Sequence, residues 1–506
     1  MSIGLSEQQP KSDSPLDLDQ VRIDPAWSLR IPASLALRKR VLPLCKLGDH
    51  VLVACMDTDD TATHQALRKY LEFDIQTLHA EPESLRRALM RVYGGVSTTA
   101  SADASPVRVR ARDPRALEPE DAVAICDELM QAAVLRSASD IHLLGNETSF
   151  MAQFRVDGRL EVYREFPLEI QGATISRLKV LAGLDIAEKR SPQDGRFTTR
   201  VGPSQRKVDV RVATLPTRHG ERMTMRLLAA QGSELTLTSL GMNDNDLSIF
   251  RTAITRPHGL ILLTGPTGSG KSTTLYAAIE ELLTRRGGNV ITVEDPIEYE
   301  MRGVSQVEVD SADKVSFGKA LRSILRHDPD VIMIGEIRDR ETADVAVKAS
   351  LTGHLVFSTL HTNTAAGVVT RLVDMGMQRF LVAATLRLAV AQRLVRRLCP
   401  HCRKPRAMKP DEALALGKSE LAGSTVYDST GCVYCAGRGY IGRVAMFEMV
   451  ESNESFARQI SEGAGEDELL ADVRARKLPL LVDDAVAKLA DGTTTVQEVL
   501  NAVVTW

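Results

Sequence analysis

With 506 residues the chain is too long for one hydrophobic core, so three or four domains are expected. Its 43% hydrophobic and 25% charged residues are those of a globular protein, and Lys+Arg 63 against Asp+Glu 66 leaves a net charge of -3. That balance excludes a global basic field for holding nucleic acid, and no apolar run reaches the ~18–20 residues of a membrane helix.

The first twenty residues form a polar tail without the basic and apolar regions of a signal peptide, which predicts a cytoplasmic protein whose membrane contact comes through a partner. Residues 21–93 mix short apolar runs (HVLVACMD) with helical patterns (ESLRRALMRVY), predicting a small α/β domain. The Ser-, Ala-, Pro- and charge-rich stretch 94–120 is expected to be a linker. A second domain, 121–230, opens with a helix (AVAICDELMQAAVLRSA) and continues in alternating strands such as RKVDVRVATL.

From 235 to 398, apolar strands alternate with helices, the pattern of a parallel α/β sheet. Within it, LILLTGPTGSGKSTTL (260–275) runs a strand into Gly265, Pro266, Thr267, Gly268, Ser269, Gly270, Lys271, Ser272 and Thr273. This satisfies G-x-x-x-x-G-K-[ST] between a strand and a helix, where backbone N–H groups converge on phosphate oxygens. Lys271 is then aimed at the β- and γ-phosphates of ATP and Ser272 at Mg²⁺. Three later strands deliver polar groups near their ends: VITVEDP gives Glu294 and Asp295, DVIMIGEIRD gives Glu336, and HLVFSTLHTN carries His354 and His361. An acid after an apolar strand can hold Mg²⁺ or polarise the attacking water.

Of seven cysteines, four form two pairs, Cys399-Pro-His-Cys402 and Cys432-Val-Tyr-Cys435. Paired soft ligands suit a tetrahedral structural Zn²⁺ in a module spanning 399–445. Arg393, Arg396, Arg397, Arg403, Lys404 and Arg406 cluster beside it, but aromatic partners for stacking bases are nearly absent. The remainder, 446–506, is expected to be helical.

Together these motifs resemble the secretion ATPase superfamily: Glu294-Asp295-Pro296 is similar to its aspartate box, GEIRDRETADVA to its Walker B and TGHLVFSTLHTN to its histidine box. SASDIHL, FRVDGRL, LAGLDIAEKRSPQDGRF and TLPTRHGERMTMRLL resemble the domain preceding the motor in type II secretion and type IV pilus assembly ATPases. In that family SDIH is usually followed by Glu-Pro, whereas here the sequence runs SDIHLLGNE.

The resemblance implies a RecA-like P-loop core preceded by a PAS-like α+β domain. It makes Glu336 and Glu294 the residues that position water and metal, and His354 and His361 the sensors of the γ-phosphate. Arginines from 121–230 would close over the nucleotide; Arg196, Arg211, Arg222 and Arg226 are candidates, with Arg211 and Arg226 carried by the best-matching motifs. It further implies a homohexamer peripheral to the inner membrane, docked by residues 21–93 on a platform protein. The tetracysteine module favours type II secretion or pilus extension over retraction. Some relatives bind cyclic di-GMP through a repeated Arg-Leu-Gly pattern, but CKLGDHVLVACMD has Lys46 in the Arg position, so that ligand is not expected. The competing expectations are a nucleotide-binding scaffold without turnover and a DNA translocase.

Overall fold

The computed structural model describes residues 15–94, 119–202, 205–229, 236–309 and 316–503. Residues 1–14 of the expected tail and residues 95–118 of the linker expected over 94–120 lie outside these residues. The chain divides into two bodies. One comprises Met1–Ala230 with Leu398–Lys404 and Ser429–Ile441; the other is Gln231–Arg397, Pro405–Asp428 and Gly442–Trp506.

The first body begins with helices α1 (Pro25–Ser28) and α2 (Ala33–Lys39), then the hairpin β1 (Leu42–Leu47) and β2 (His50–Cys55). Helix α3 (Thr61–Arg68), strand β3 (Asp74–His79) parallel to β2, and α4 (Pro82–Tyr93) complete this part. Acidic side chains start the helices by taking free backbone N–H groups: Asp24 accepts from Ala26 and Asp60 from Thr63. Leu16 and Leu18 are buried in the same core and Leu16 bridges to Ala80, so the domain begins ahead of residue 21.

Next come α5 (Pro119–Leu135), β4 (Asp140–Gly145), β5 (Ser149–Val156), β6 (Arg159–Pro167), α6 (Gln171–Ala182), β7 (Gln193–Val201), β8 (Arg206–Thr217) and β9 (Gly220–Ala229). The six strands form one antiparallel sheet in the order β6-β5-β4-β9-β8-β7. Their alternation buries one face: in β5 Phe150, Ala152, Phe154 and Val156 point inward, packed with Ile125, Leu129 and Leu178 of α5 and α6.

The second body carries α7 (Asp244–Ile254), β10 (Gly259–Thr264), α8 (Lys271–Arg286), β11 (Val290–Glu294), β12 (Val304–Glu308) and α9 (Phe317–Ile324). It continues with β13 (Val331–Ile334), α10 (Arg340–Leu351), β14 (Leu355–Leu360), α11 (Gly367–Asp374), α12 (Arg379–Thr385) and the long β15 (Leu386–Leu398). After β16 (Arg403–Ala407), α13 (Pro410–Ala415) and β17 (Thr425–Ser429), strand β18 (Tyr440–Glu451) leads to α14 (Glu454–Glu462), α15 (Glu466–Ala475), α16 (Leu481–Ala490) and α17 (Val496–Val503). The seven-stranded sheet runs β12-β11-β13-β14-β10-β15-β18, with β10 parallel to β14 and β15, and β13 parallel to β11 and β14. The central strands are buried on both faces, hence their unbroken apolar runs such as Leu260–Leu263. Part of the terminal region read as helical is therefore strand. The run VAMFEMV belongs to β18, and periodicity alone cannot tell such a short apolar run from a helix.

Candidate active site

Strand β10 ends at Thr264 and the chain turns through 265–270 into α8. Gly270, the residue before α8, has φ +87°, a left-handed conformation that suits glycine, and no side chain caps the helix there. The first N–H groups of α8 are left facing the loop, as an anionic ligand requires. Lys271 folds back over that loop, its Nζ donating to the carbonyls of Gly265 (2.7 Å) and Pro266 (3.1 Å). Burial pushes its ammonium down to about 8; the charge of Glu336 opposes this and that of Arg393 adds to it.

Glu336 lies just beyond β13, in the loop beside the end of β14. One of its carboxylate oxygens meets the guanidinium of Arg338, and Oε2 is 3.3 Å from His361 Nε2. Arg338 also approaches Asp295 at 4.0 Å. Glu336, His361 and Lys271 thus share the C-terminal edge of the parallel strands, where the sequence put them. Glu336 holds an oxygen that can accept a proton from water, and the exposed Ser272 hydroxyl opens α8; both are hard oxygen ligands of the kind Mg²⁺ takes.

Glu294 is enclosed differently. It is buried at the end of β11, where Thr292 Oγ1 donates at 2.6 Å, Gln306 Nε2 at 3.1 Å, and the Tyr276 hydroxyl of α8 as well. These donors satisfy the carboxylate inside the protein, and burial pushes the Tyr276 hydroxyl up. Sequence reasoning missed Tyr276 and Gln306. In the sequence Tyr276 is one residue of a helical run and Gln306 one of a short strand, with no spacing that links either to Glu294. His354 does not join the site. It precedes β14, with its Nδ1 within 3.1 Å of Thr352 Oγ1 and 3.0 Å of the Ala349 carbonyl. A strand of this length rises about 20 Å, so its two histidines stand at opposite edges of the sheet.

In the first body, strand register makes a row of cations: Arg196 of β7 is opposite Arg211 of β8, which is opposite Arg226 of β9. Like charges facing across strands repel, and a carboxylate at the end of the row offsets this. Asp140 of β4 is opposite Arg226, whose Nε reaches its Oδ1 at 3.1 Å, and Arg155 approaches it at 3.6 Å. Arg222 sits farther along β9, opposite Leu215.

The four paired cysteines converge, all sulfurs lying within 4.8 Å of one another. Three separations, Cys399–Cys432 3.7 Å, Cys432–Cys435 3.8 Å and Cys402–Cys435 3.9 Å, test the fit to a metal. A tetrahedron with Zn–S of ~2.3 Å has edges of ~3.8 Å, so the residues fit Zn²⁺. The N–H groups of Cys432 (3.2 Å) and Gly439 (3.1 Å) point at Cys435 Sγ. The thiols of Cys399 and Cys432, helped by these N–H groups, hold Cys435 far below the usual thiol range. The second knuckle is also anchored elsewhere in its body. Val433 and Ala436 are buried in the core of β1–β3, and Tyr434 accepts from Arg22 N–H at 3.1 Å.

A family model described as "Type II/IV secretion system protein" matches residues 118–501, and one described as "MshEN domain" matches 12–99. The chain is 41% identical over 490 residues to the type II secretion system protein E of Pseudomonas aeruginosa, covering 93% of this chain and 96% of that one. It is 46% identical over 388 residues to the type II secretion system ATPase E of Vibrio cholerae, 76% of each. With the type IV pilus assembly ATPase PilB of Myxococcus xanthus it shares 38% over 500 residues, 96% of this chain and 88% of that protein. Among solved structures, the pilus retraction motor PilT with bound ADP superposes with a TM-score of 0.51 at 28% identity, covering 74% of this chain and 95% of that one.

Proposed function

Because the chain belongs to the family of type II/IV secretion system proteins, we propose that it is the ATP-hydrolysing motor of a type II secretion system. It works as a homohexamer at the cytoplasmic face of the inner membrane, docked through residues 21–93 on a platform protein, and its cycles drive assembly of a pseudopilus. Among the described residues no helix is long and apolar enough to cross a membrane, so attachment through a partner fits.

The observation that carries the reading is the meeting of Glu336 and His361 at the strand ends beside a lysine-bearing phosphate loop. In the cycle, the α8 amides and Lys271 hold the phosphates, which requires the ammonium to leave the carbonyls of Gly265 and Pro266. Glu336 takes a proton from the attacking water once Arg338 releases it, and His361 follows the γ-phosphate. Ser272 would be among the ligands of Mg²⁺, which when bound would supply charge neutralisation at the phosphate oxygens. Glu294 acts through Tyr276 of α8, while His354 is kept for contacts away from this phosphate loop. Arg211 and Arg226 complete the charge stabilisation when they reach a nucleotide. Cys399, Cys402, Cys432 and Cys435 would hold Zn²⁺ in a structural role.

Pilus assembly is the second reading, favoured by the pilus ATPase relative that matches nearly the whole chain. The experiment is ATP turnover and nucleotide binding of the purified chain with Lys271→Ala and Glu336→Gln. Lys271→Ala should lose both, and Glu336→Gln should keep binding while turnover falls at least about 100-fold. Parental turnover in either variant refutes the motor. Complementation of secretion and of piliation in deletion strains separates the two readings, and ATPase stimulation by DNA would turn the assignment to a translocase.

A further inference from the structure

Two buried polar residues of β15 back the phosphate loop without belonging to any motif of the site. The register of β15 on β10 pairs Ala391 with Thr264, so the next residue, Gln392, stands where the loop leaves the sheet. It is 1% exposed, and its carboxamide spans the start of α8: Nε2 donates to the Ser269 carbonyl at 2.9 Å and Oε1 accepts from the Thr274 hydroxyl at 2.9 Å. A side chain at Gly265 would put its Cβ 2.4 Å from the Gln392 carbonyl, so loop and strand leave no room for one there.

Arg393 is 4% exposed and forks the other way, Nη2 donating to the carbonyl (3.2 Å) and side-chain oxygen (3.3 Å) of Asn363. Asn363 lies two residues past His361. The guanidinium Nη1 bonds the Gln392 carbonyl at 3.1 Å, while the buried Nε has no partner among the described residues. Burial opposes the Arg393 charge and the buried carboxylate of Glu448 favours it.

We infer that Gln392 and Arg393 are positioning residues for ATP hydrolysis: Gln392 clamps the phosphate loop in its amide-presenting shape, and Arg393 ties that loop to the segment carrying His361. The inference rests on the nucleotide reading above. Clamping the loop before nucleotide arrives removes part of the ordering cost of binding, so Gln392 governs affinity. The Arg393 fork joins the phosphate grip to the residue facing Glu336, so it governs turnover.

The test uses the full chain, with binding of a fluorescent ATP analogue, kcat and thermal melting measured on each variant. Gln392→Met should weaken nucleotide binding about tenfold. Thr274→Val, which removes the hydroxyl at the other end of the clamp, should weaken it less and add little to Gln392→Met, since one interaction cannot be lost twice. Arg393→Lys keeps the charge but not the fork, so kcat should fall about tenfold while affinity stays within about threefold. Parental affinity and kcat in these variants, or lowered melting with unchanged kinetics, overturns the inference. Should Gln392→Met not fold, the near-isosteric Thr274→Val decides: parental affinity there overturns the clamp. If the parent chain has no turnover, or Lys271→Ala retains it, the nucleotide reading itself has failed.

Discussion

Lys271 predicts a proton linkage in nucleotide binding. Burial holds its ammonium at about 8 instead of the ordinary 10.5. That gap corresponds to about 3 kcal/mol against the charged form. A bound diphosphate or triphosphate places negative charge beside the amine and raises its pKa, so binding takes up a proton wherever the empty site is deprotonated. At pH 8 about half of empty sites carry a neutral amine, so uptake should be about half a proton per site. Affinity should be flat below about pH 7 and fall as pH climbs through 8, by at most about tenfold per pH unit. The empty fold responds with the opposite sign. Its folded pKa lies below the unfolded one, so the penalty is full below pH 8 and is relieved as pH rises toward 10.5. The assay is calorimetric titration with Mg-ADP between pH 7 and 9 in two buffers of different ionisation heat. Equal heats in both buffers at pH 8, together with pH-independent affinity, would refute the reasoning.

Lys179 is fully buried, its Nζ 2.5 Å from Glu221 Oε1 and 2.6 Å from the Glu188 carbonyl; Lys179→Met should cost about 3–5 kcal/mol, read as a fall in urea midpoint, by stranding that acid. Tyr276→Phe removes one of three donors to buried Glu294 and should destabilise by about 1–2 kcal/mol in the same assay, with Mg-ADP affinity nearly unchanged. Cys435→Ser should lower bound zinc from about one per chain to near none by elemental analysis. It should also open residues 398–441 to protease, and unchanged cleavage would speak against a structural metal.

The phosphate loop was legible because each of its demands is local: a strand, a glycine-punctuated turn, a lysine and a helix start, all within sixteen residues. The acid and histidine at the strand ends were legible for the same reason. The meeting of the two cysteine pairs was legible from their spacing, but which neighbours close around each acid and histidine was not. Glu294 and Glu336 both follow apolar strands, yet Tyr276 and Gln306 close around one and not the other. His354 and His361 flank the same strand, and only topology decides which end meets the phosphates. Gln392 and Arg393 lie in a run that reads as ordinary strand, and their reach to Ser269 and Asn363 depends on register with β10. Leu16 and Leu18 are too sparse in a polar stretch to announce a core contact.

The allocation of residues between the two bodies bears on how the gene can be dissected. The backbone passes from one to the other five times, at 230/231, 397/398, 404/405, 428/429 and 441/442. A fragment ending at 230 looks like a tidy N-terminal half by sequence, but it would lack Val433 and Ala436 from its hydrophobic interior along with every sulfur of the four-cysteine cluster. Expressed alone, such a half should be soluble only if Leu44, Val53 and their neighbours find other cover, and mutational scans of 429–441 should show defects that segregate with the amino-terminal portion, hundreds of positions upstream.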